Sequence, residues 1–298
     1  MQEVTTGLRF PEGPIAMADG SIVLVEIERQ TLSRVQPNGA IEVIAELGGG
    51  PNGAAVGPDG AVYVCNNGGF KWQQNNGILA PAGTPEDYSG GRIERVELDT
   101  GRFEVLYREC DGQPLNGPND IVFDAHGGMW FTDLGKTCDR YKDLGFIYYA
   151  KADGSHISQQ LGHRETPNGI GLSPDGCKLY FAETITGRVW AYDITAPGEL
   201  DQTSGQLLAG LPGFQLFDSL AVDAGGNVCV ATLINGGITI ISPDGESVEH
   251  LPTGDIFTTN ICFGGEDLCT AYITLSGTGR LVTTRWPRPG LELNYLPR

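Results

Sequence analysis

The sequence predicts an all-β fold, a six-bladed β-propeller in which each blade is a four-stranded antiparallel sheet and the blades surround a central channel. Three observations lead there. A ten-residue stretch, Pro51-Asn52-Gly53-Ala54-Ala55-Val56-Gly57-Pro58-Asp59-Gly60, returns as Pro167-Asn168-Gly169-Ile170-Gly171-Leu172-Ser173-Pro174-Asp175-Gly176, and a repeated unit is the first thing a fold assignment must respect. Looser copies begin at Glu12, Asn119, Asp218 and Asn260, spaced 40, 67, 49, 50 and 42 residues along the six-member series, the length of four short strands with their turns. No segment combines a helical period with length and caps, while 44 glycines and 18 prolines supply punctuation for many turns.

Each copy reads as a short apolar strand closed by a turn, then a second strand, as at 61–64 and 178–181. The turn position, seven residues after the start, is Asp19, Asp59, His126, Asp175, Gly225 and Asp267. Third strands follow at 31–35, 91–96, 145–149, 187–192, 237–241 and 279–283, and weaker fourth strands at 42–46, 103–107, 156–160 and 247–251. One blade alone cannot bury its faces; six packed radially can. Closing the ring requires the chain ends to meet, so either 4–8 or the tail after Leu291 completes the last blade. Residues 1–298 then form one propeller domain. Two insertions, 71–90 and 136–144, separate second and third strands in the second and third blades. Loops of that length call for a functional reason, and these carry Trp72, Tyr88 and Tyr141, so they read as walls or lids over one channel mouth, with Trp72 a candidate substrate contact.

Composition narrows the function. A formal charge of −18 repels phosphate backbones and anionic membranes at long range, which leaves small neutral or weakly charged organic molecules, or a cation, as partners. Neither a signal-type start nor a run long enough to cross a bilayer is present, which predicts a soluble, cytoplasmic protein. Seven cysteines without a C-x-x-C pair, three of them inside apolar strand-like runs, read as buried reduced thiols. Gly-x-Ser-x-Gly is absent, and the glycine pairs lack the Lys-Ser/Thr of a phosphate loop. Composition sets no oligomeric state.

The first strand of a blade is innermost, so its leading residues form a ring around the axis: Glu12, Asn52, Asn119, Asn168, Asp218 and Asn260. Asn, Asp and Glu make up 50 of 298 residues, about one in six, so six of six at one repeat position is far from chance, and turn chemistry accounts for only part of it. Oxygen donors without His or Cys suit a hard cation, Ca²⁺ first, with Mg²⁺ or Mn²⁺ behind it. Zn²⁺ fits less well, because His126, His156, His163 and His250 show no ligand spacing. A second set, Glu26, Asn66, Asp133 and Glu183, falls at the ends of second strands, either supporting the ring or facing the other mouth.

At these residues the chain resembles the SMP-30/gluconolactonase/luciferin-regenerating family of calcium-dependent six-bladed propellers. The matching stretches are Pro11-Glu12-Gly13-Pro14, Asn116-Gly117-Pro118-Asn119-Asp120, Pro167-Asn168-Gly169, Phe217-Asp218-Ser219 and Phe263-Gly264-Gly265. The resemblance implies Glu12, Asn168 and Asp218 as metal ligands, Asn119 as a fourth ligand or a substrate-orienting amide, and Asp120 as an acidic neighbour. It implies hydrolysis of a lactone or related ester, with Asp218 the first candidate for activating water or attacking directly and Asp120 the next. Asn52 and Asn260 would complete a polar floor for substrate. Two departures stand out: Gly117 occupies the place of an arginine that holds substrate in sugar-lactone members, and Ser219 replaces a commoner glycine. Phosphotriester hydrolysis, or hydration or isomerisation of a cyclic compound, would use the same machinery, and a non-enzymatic propeller would keep the ion as a structural element.

Overall fold

A computed structural model describes residues 1–296, and among them each repeat forms one blade sheet, six in all, beside two two-stranded hairpins. Blade 1 comprises Pro11–Ala16, Ile22–Glu26, Thr31–Val35 and Ile41–Glu46; blade 2 comprises Pro51–Val56, Val62–Asn66, Arg92–Val96 and Phe103–Tyr107. Blade 3 runs through Pro118–Phe123, Gly128–Asp133, Gly145–Lys151 and Ile157–Arg164. Blade 5 follows the same plan with Leu216–Val222, Val228–Leu233, Gly237–Ile241 and Val248–Pro252. Within each blade, neighbours in sequence pair antiparallel, as short connections require.

Blades 4 and 6 add what the repeat left out. In blade 4 (Pro167–Leu172, Lys178–Glu183, Arg188–Ala196), the outer strand is Gln206–Gly210, reached only after a detour in which Glu199–Leu200 also pairs with the third strand, so this sheet has five strands. In blade 6 (Thr258–Gly264, Thr270–Leu275, Arg280–Arg285), the outer strand comes from the other end of the chain: Gln2–Thr6 pairs with Arg280–Arg285, from Gln2↔Thr283 to Thr6↔Arg280. The N-terminal alternative therefore closes the ring, a few residues earlier than expected. Residues 291–296 cross the far mouth, where Leu291 N–H donates to Val222 C=O and the Asn294 amide to Phe123 C=O.

Stability resides between blades. Trp130, Ile147 and Tyr149 of blade 3 meet Ile170, Leu172, Leu179 and Phe181 of blade 4 in one buried cluster, and Cys229, Ile238 and Ile240 of blade 5 meet Ile261, Phe263 and Ile273 of blade 6 in another. Apolar residues on alternating positions face a neighbouring blade on either side, so the second strands of blades 1, 2, 3 and 5 are buried throughout. Five of the seven cysteines are buried as expected, whereas Cys138 is partly exposed and Cys177 fully so. Among the described residues, no helix is long and apolar enough to cross a membrane.

The turn aspartate works as the repeat implies, with a variation. Asp19, Asp59, Asp175 and Asp267 each accept the amide two residues on, the hydrogen bond that makes aspartate a turn former. In blades 3 and 5, where His126 and Gly225 hold the repeat position, Asp124 and Asp223 do the same work from earlier in the turn.

The glycine after the ring residue has a steric reason. A Cβ on Gly53 would lie 2.4 Å from Asn119 O of blade 3, and one on Gly169 would lie 2.7 Å from Asp218 O of blade 5. Inner strands therefore approach backbone to backbone at the level of the ring. Gly53→Ala is expected to lower unfolding free energy by about 3 kcal/mol, the scale of overpacking a tight contact, measurable as a shifted urea midpoint with an unchanged slope; full stability would mean that the blades do not close this tightly.

Candidate active site at the channel axis

All six inner strands carry a register irregularity at the same level, at Glu12/Ile15, Pro51/Ala54, Pro118/Ile121, Pro167/Ile170, Phe217/Leu220 and Thr258/Asn260. A bulge turns a side chain out of the ordinary alternation, and here it falls on or beside the ring residue of every blade. Each inner strand packs against the inner strand on either side, blade 6 meeting blade 1 to complete the circle. Glu12, Asn52, Asn119, Asn168 and Asn260 are buried, and Asp218 keeps partial exposure.

Direct contacts link parts of the ring. Glu12 Oε2 accepts from Gly13 N–H at 2.8 Å and from Asn260 Nδ2 at 2.7 Å across the blade 6 to blade 1 seam. Asn168 donates from Nδ2 to Thr184 Oγ1 at 3.1 Å, and its Oδ1 receives only a 3.5 Å contact from Ser219 Oγ. Asn119 Oδ1 is buried with no hydrogen-bond partner. Burial and then the charge of Asp218 raise the Glu12 carboxyl well above the ordinary range. Burial lifts Asp218 to about 7, with the Asn168 amide pulling the other way and Asp120 adding to the rise.

These observations test whether the ring fits a cation. Two carboxylates that disfavour each other's charge, an orphaned amide oxygen and a weakly satisfied one share a single neighbourhood made of oxygen donors. That is an environment a hard divalent cation relieves. Among the described residues, however, no group of three or more His, Cys, Asp or Glu side chains is placed to hold a metal. The ring has two acids, so the remaining donors would have to be amide oxygens; the expectation of an evident metal site in the channel is not met by acidic residues alone. Nor does a zinc-type donor set occur among the described residues.

Asp120 stands in the position that glycine holds in blades 1, 2 and 4, and its carboxylate does structural work. Its oxygens accept from Ile121 N–H at 3.0 Å and from Ile170 N–H of blade 4 at 3.1 Å. Burial raises it to about 7 against those hydrogen bonds. It lies at the inner end of a cavity of about 790 Å³ that opens on the far mouth past Phe123, Trp130, Leu172 and Phe263. This cavity touches Gly13, Asp120 and Asn260 but not Glu12, Asn119, Asn168 or Asp218, so it lies behind the ring. The side-chain chemistry, rather than the volume, marks the reactive end.

The second set sits at the ring mouth and organises its loops. Glu26, Asn66, Asp133 and Glu183 pair in register with Pro11, Pro51, Pro118 and Pro167. Asp133 accepts from the amides of Asn116, Gly117 and Gly135, and Asn66 Oδ1 from those of Gly50 and Gly68. They hold the segments leading into the ring. The insertion at 71–90 contains a hairpin, Trp72–Asn75 with Ile78–Pro81, turned by Asn76-Gly77 with both φ positive (51° and 81°), as a two-residue hairpin turn demands. Trp72 packs on Phe10 at 5.0 Å and Phe70 at 6.0 Å, with Phe257 against Phe10, so it belongs to an aromatic cluster beside the blade 1 strand that carries Glu12. Tyr141 is exposed. A Cβ at Gly117 would lie 2.5 Å from Gly135 O, so this backbone has no room for a larger residue there. Sequence reasoning missed Lys136, which is buried at this mouth.

Fold and site together define a class, the six-bladed propellers with an oxygen-lined axial site. The chain belongs to the SMP-30/Gluconolactonase/LRE-like family, whose model matches residues 10–277. It is 24% identical over 310 residues to the gluconolactonase of Zymomonas mobilis, covering 93% of this chain and 79% of that one. The gluconolactonase XC5397 of Xanthomonas campestris has a similar fold, with TM-score 0.76 at 23% identity over 96% of this chain and 89% of the other. So does the calcium-binding protein regucalcin of Agrobacterium tumefaciens, with TM-score 0.72 at 18% identity over 98% and 100%. This kinship supports a hydrolase function of the gluconolactonase/SMP-30 kind in general.

Proposed function

We propose that the protein opens a lactone or related ester at the axial ring, with Glu12, Asn168, Asp218 and Asn119 as the residues that would hold a Ca²⁺ ion. The observation that carries this reading is the pair of acids Glu12 and Asp218, both raised by burial, Glu12 further by the charge of Asp218 and Asp218 by that of Asp120, beside the unpartnered Asn119 Oδ1. When bound, a divalent cation supplies Lewis-acid polarisation of the carbonyl and neutralises the ring. Likeness in fold to a calcium-binding protein and kinship to a gluconolactonase support the same choice.

The chain's own residues do the rest. Asp218, the ring carboxylate that keeps some exposure, is the best placed to take a proton from the attacking water. The water oxygen bonds to the acyl carbon, the acyl–oxygen ring bond breaks, and the departing alkoxide takes the proton back, leaving a hydroxy acid. Asn119 and Asn168 orient the carbonyl, with Asn52 and Asn260 lining the floor. Asp120 is a positioning residue in this scheme, because its oxygens are committed to the amides of Ile121 and Ile170. The Trp72 cluster and the 136–144 segment wall the mouth.

The test is acid release in a pH-stat across γ- and δ-lactones, aryl esters and phosphotriesters, with Ca²⁺ and with chelator. Ca²⁺-dependent opening of at least one lactone class is expected; phosphotriester turnover alone would move the assignment to the alternative chemistry, and no turnover of any kind would favour a non-enzymatic role.

A further inference from the structure

Lys136 is 5% exposed, yet among the described residues no carboxylate lies within ion-pair distance of its Nζ. Burial pushes its pKa down to about 7, while Asp133 and Asp143 pull it back from beyond ion-pair distance. A buried ammonium without a directly paired carboxylate is costly and uncommon. Its Nζ donates to Gly69 O at 2.8 Å and Asn67 Oδ1 at 3.3 Å, and lies 4.4 Å from the Phe70 ring centre and 5.0 Å from that of Tyr88. An ammonium has three protons, so one remains without a named acceptor.

A second observation comes from Asn67, which is fully buried. Its Oδ1 is fixed by two donors, Gly69 N–H at 2.9 Å and Lys136 Nζ, so the amide cannot be flipped without setting donor against donor. Its Nδ2 is then also fixed, and it has no partner. A spare ammonium proton and an orphaned amide donor thus occur side by side. Both belong to turns that follow second strands (Val62–Asn66 and Gly128–Asp133), at the mouth where the inner strands begin with Asn52 and Asn119.

We propose that Lys136 and Asn67 form a subsite for an anionic group on the substrate, a carboxylate or an oxyanion of similar size, beside the reacting ring. This deepens the lactonase reading and rests on it for the identity of the substrate. The insertion supplies the roof: Tyr88 packs over Gly68, and its hydroxyl donates to Asn116 O at 2.6 Å. Entry of the anion requires Phe70 and Tyr88 to lift. The overall charge of −18 opposes an anion at long range, so a preference for one has to come from such local donors. With no room for a side chain at Gly117, Lys136, one residue beyond Gly135, is a cation within reach of the same wall.

The experiment compares a γ-lactone carrying a ring carboxylate with the same lactone as its carboxamide, on the full chain and on Lys136→Met and Lys136→Arg. The parent is expected to favour the carboxylate at least tenfold in kcat/KM. Lys136→Met should lose about 10–100-fold on the carboxylate and under about threefold on the amide, the range for removing a charged partner, and Lys136→Arg should recover part of the loss. Equal losses on both lactones would make Lys136 a clamp for the insertion and overturn the proposal, as would a parent without preference. Should neither lactone turn over, the lactonase reading has failed, and the decision passes to melting in sodium sulfate against sodium chloride at equal ionic strength. Stabilisation by sulfate in the parent but not in Lys136→Met sustains the anion site; no difference between them ends it.

Discussion

Asp218→Asn is expected to reduce lactone turnover by about 10²–10³-fold, the range for deleting one preorganised electrostatic element of an active site, while leaving the unfolding midpoint of the metal-free protein unchanged or higher. Two losses combine. The amide cannot accept the water proton, and the ring drops to one carboxylate, Glu12, whose Oε2 is already engaged by Gly13 N–H and Asn260 Nδ2. The stability prediction follows from burial: Asp218 is lifted to about 7 because its charge is unfavourable where it sits, so a neutral isostere removes strain at pH 8. Asp120→Asn should behave differently. Its oxygens accept the amides of two blades, so the change costs stability first and activity as a consequence. Steady-state kinetics with urea unfolding on both variants separates the roles; Asp218→Asn with parental kcat would remove that residue from the chemistry.

The second large effect concerns pH and calcium. Glu12 and Asp218 both have raised pKa values in the metal-free fold. An acid whose folded value exceeds its unfolded value stabilises the fold while protonated, so that contribution is complete below the unfolded value of roughly 4 and is lost as pH rises through the folded one, about 7 for Asp218. Metal-free protein should therefore lose this part of its stability between those limits. A cation reverses the loss, because it replaces the protons it displaces. A thousandfold excess of Ca²⁺ over its Kd is worth about 4 kcal/mol, or roughly 8 °C in Tm for a chain of this size, at pH 8 and much less at pH 5. Scanning calorimetry of chelator-stripped protein with and without Ca²⁺ at the two pH values checks this. An equal gain at both, or a larger one at pH 5, would be incompatible with binding through these carboxylates.

The blades were legible because a propeller writes its period into the chain: an oxygen-bearing residue, a glycine where neighbouring backbones touch, an apolar run, and an aspartate that ties the turn. Gly53 and Gly169 are readable from sequence because their reason is local and repeated. Gln206–Gly210 was not, because a nine-residue third strand and the Glu199–Leu200 detour displace it from the expected interval. Asp124 and Asp223 were passed over for the opposite reason, since they do the usual work from another position. The ring itself was visible as a column of residue types, whereas the bulges that aim it appear only in the pairing register.

Lys136 shows the limit most clearly. Within Gly-Lys-Thr it reads as a solvated loop lysine, and its burial comes from Asn67, Gly69 and Phe70, in the turn after the second blade's second strand, and from Tyr88 of that blade's insertion, roughly 50 to 70 residues away in sequence. Side chains that act through a contact made by an irregular insertion leave no periodic mark. The role of Glu26, Asn66, Asp133 and Glu183 was undecided for a related reason: strand direction alone leaves two mouths open, and the backbone amides that Glu26, Asn66 and Asp133 accept settle it for those three, whereas Glu183 accepts from the side chains of Thr186 and Trp190.

The most direct measurement titrates Ca²⁺ into chelator-stripped protein while lactone opening is followed in the pH-stat. Oxygen donors gathered from opposite blades around one hard ion predict turnover that is absent without metal, rises to a plateau at one equivalent per chain, and stays flat in Glu12→Gln. Full turnover by the stripped protein, or a plateau untouched by that substitution, would contradict it.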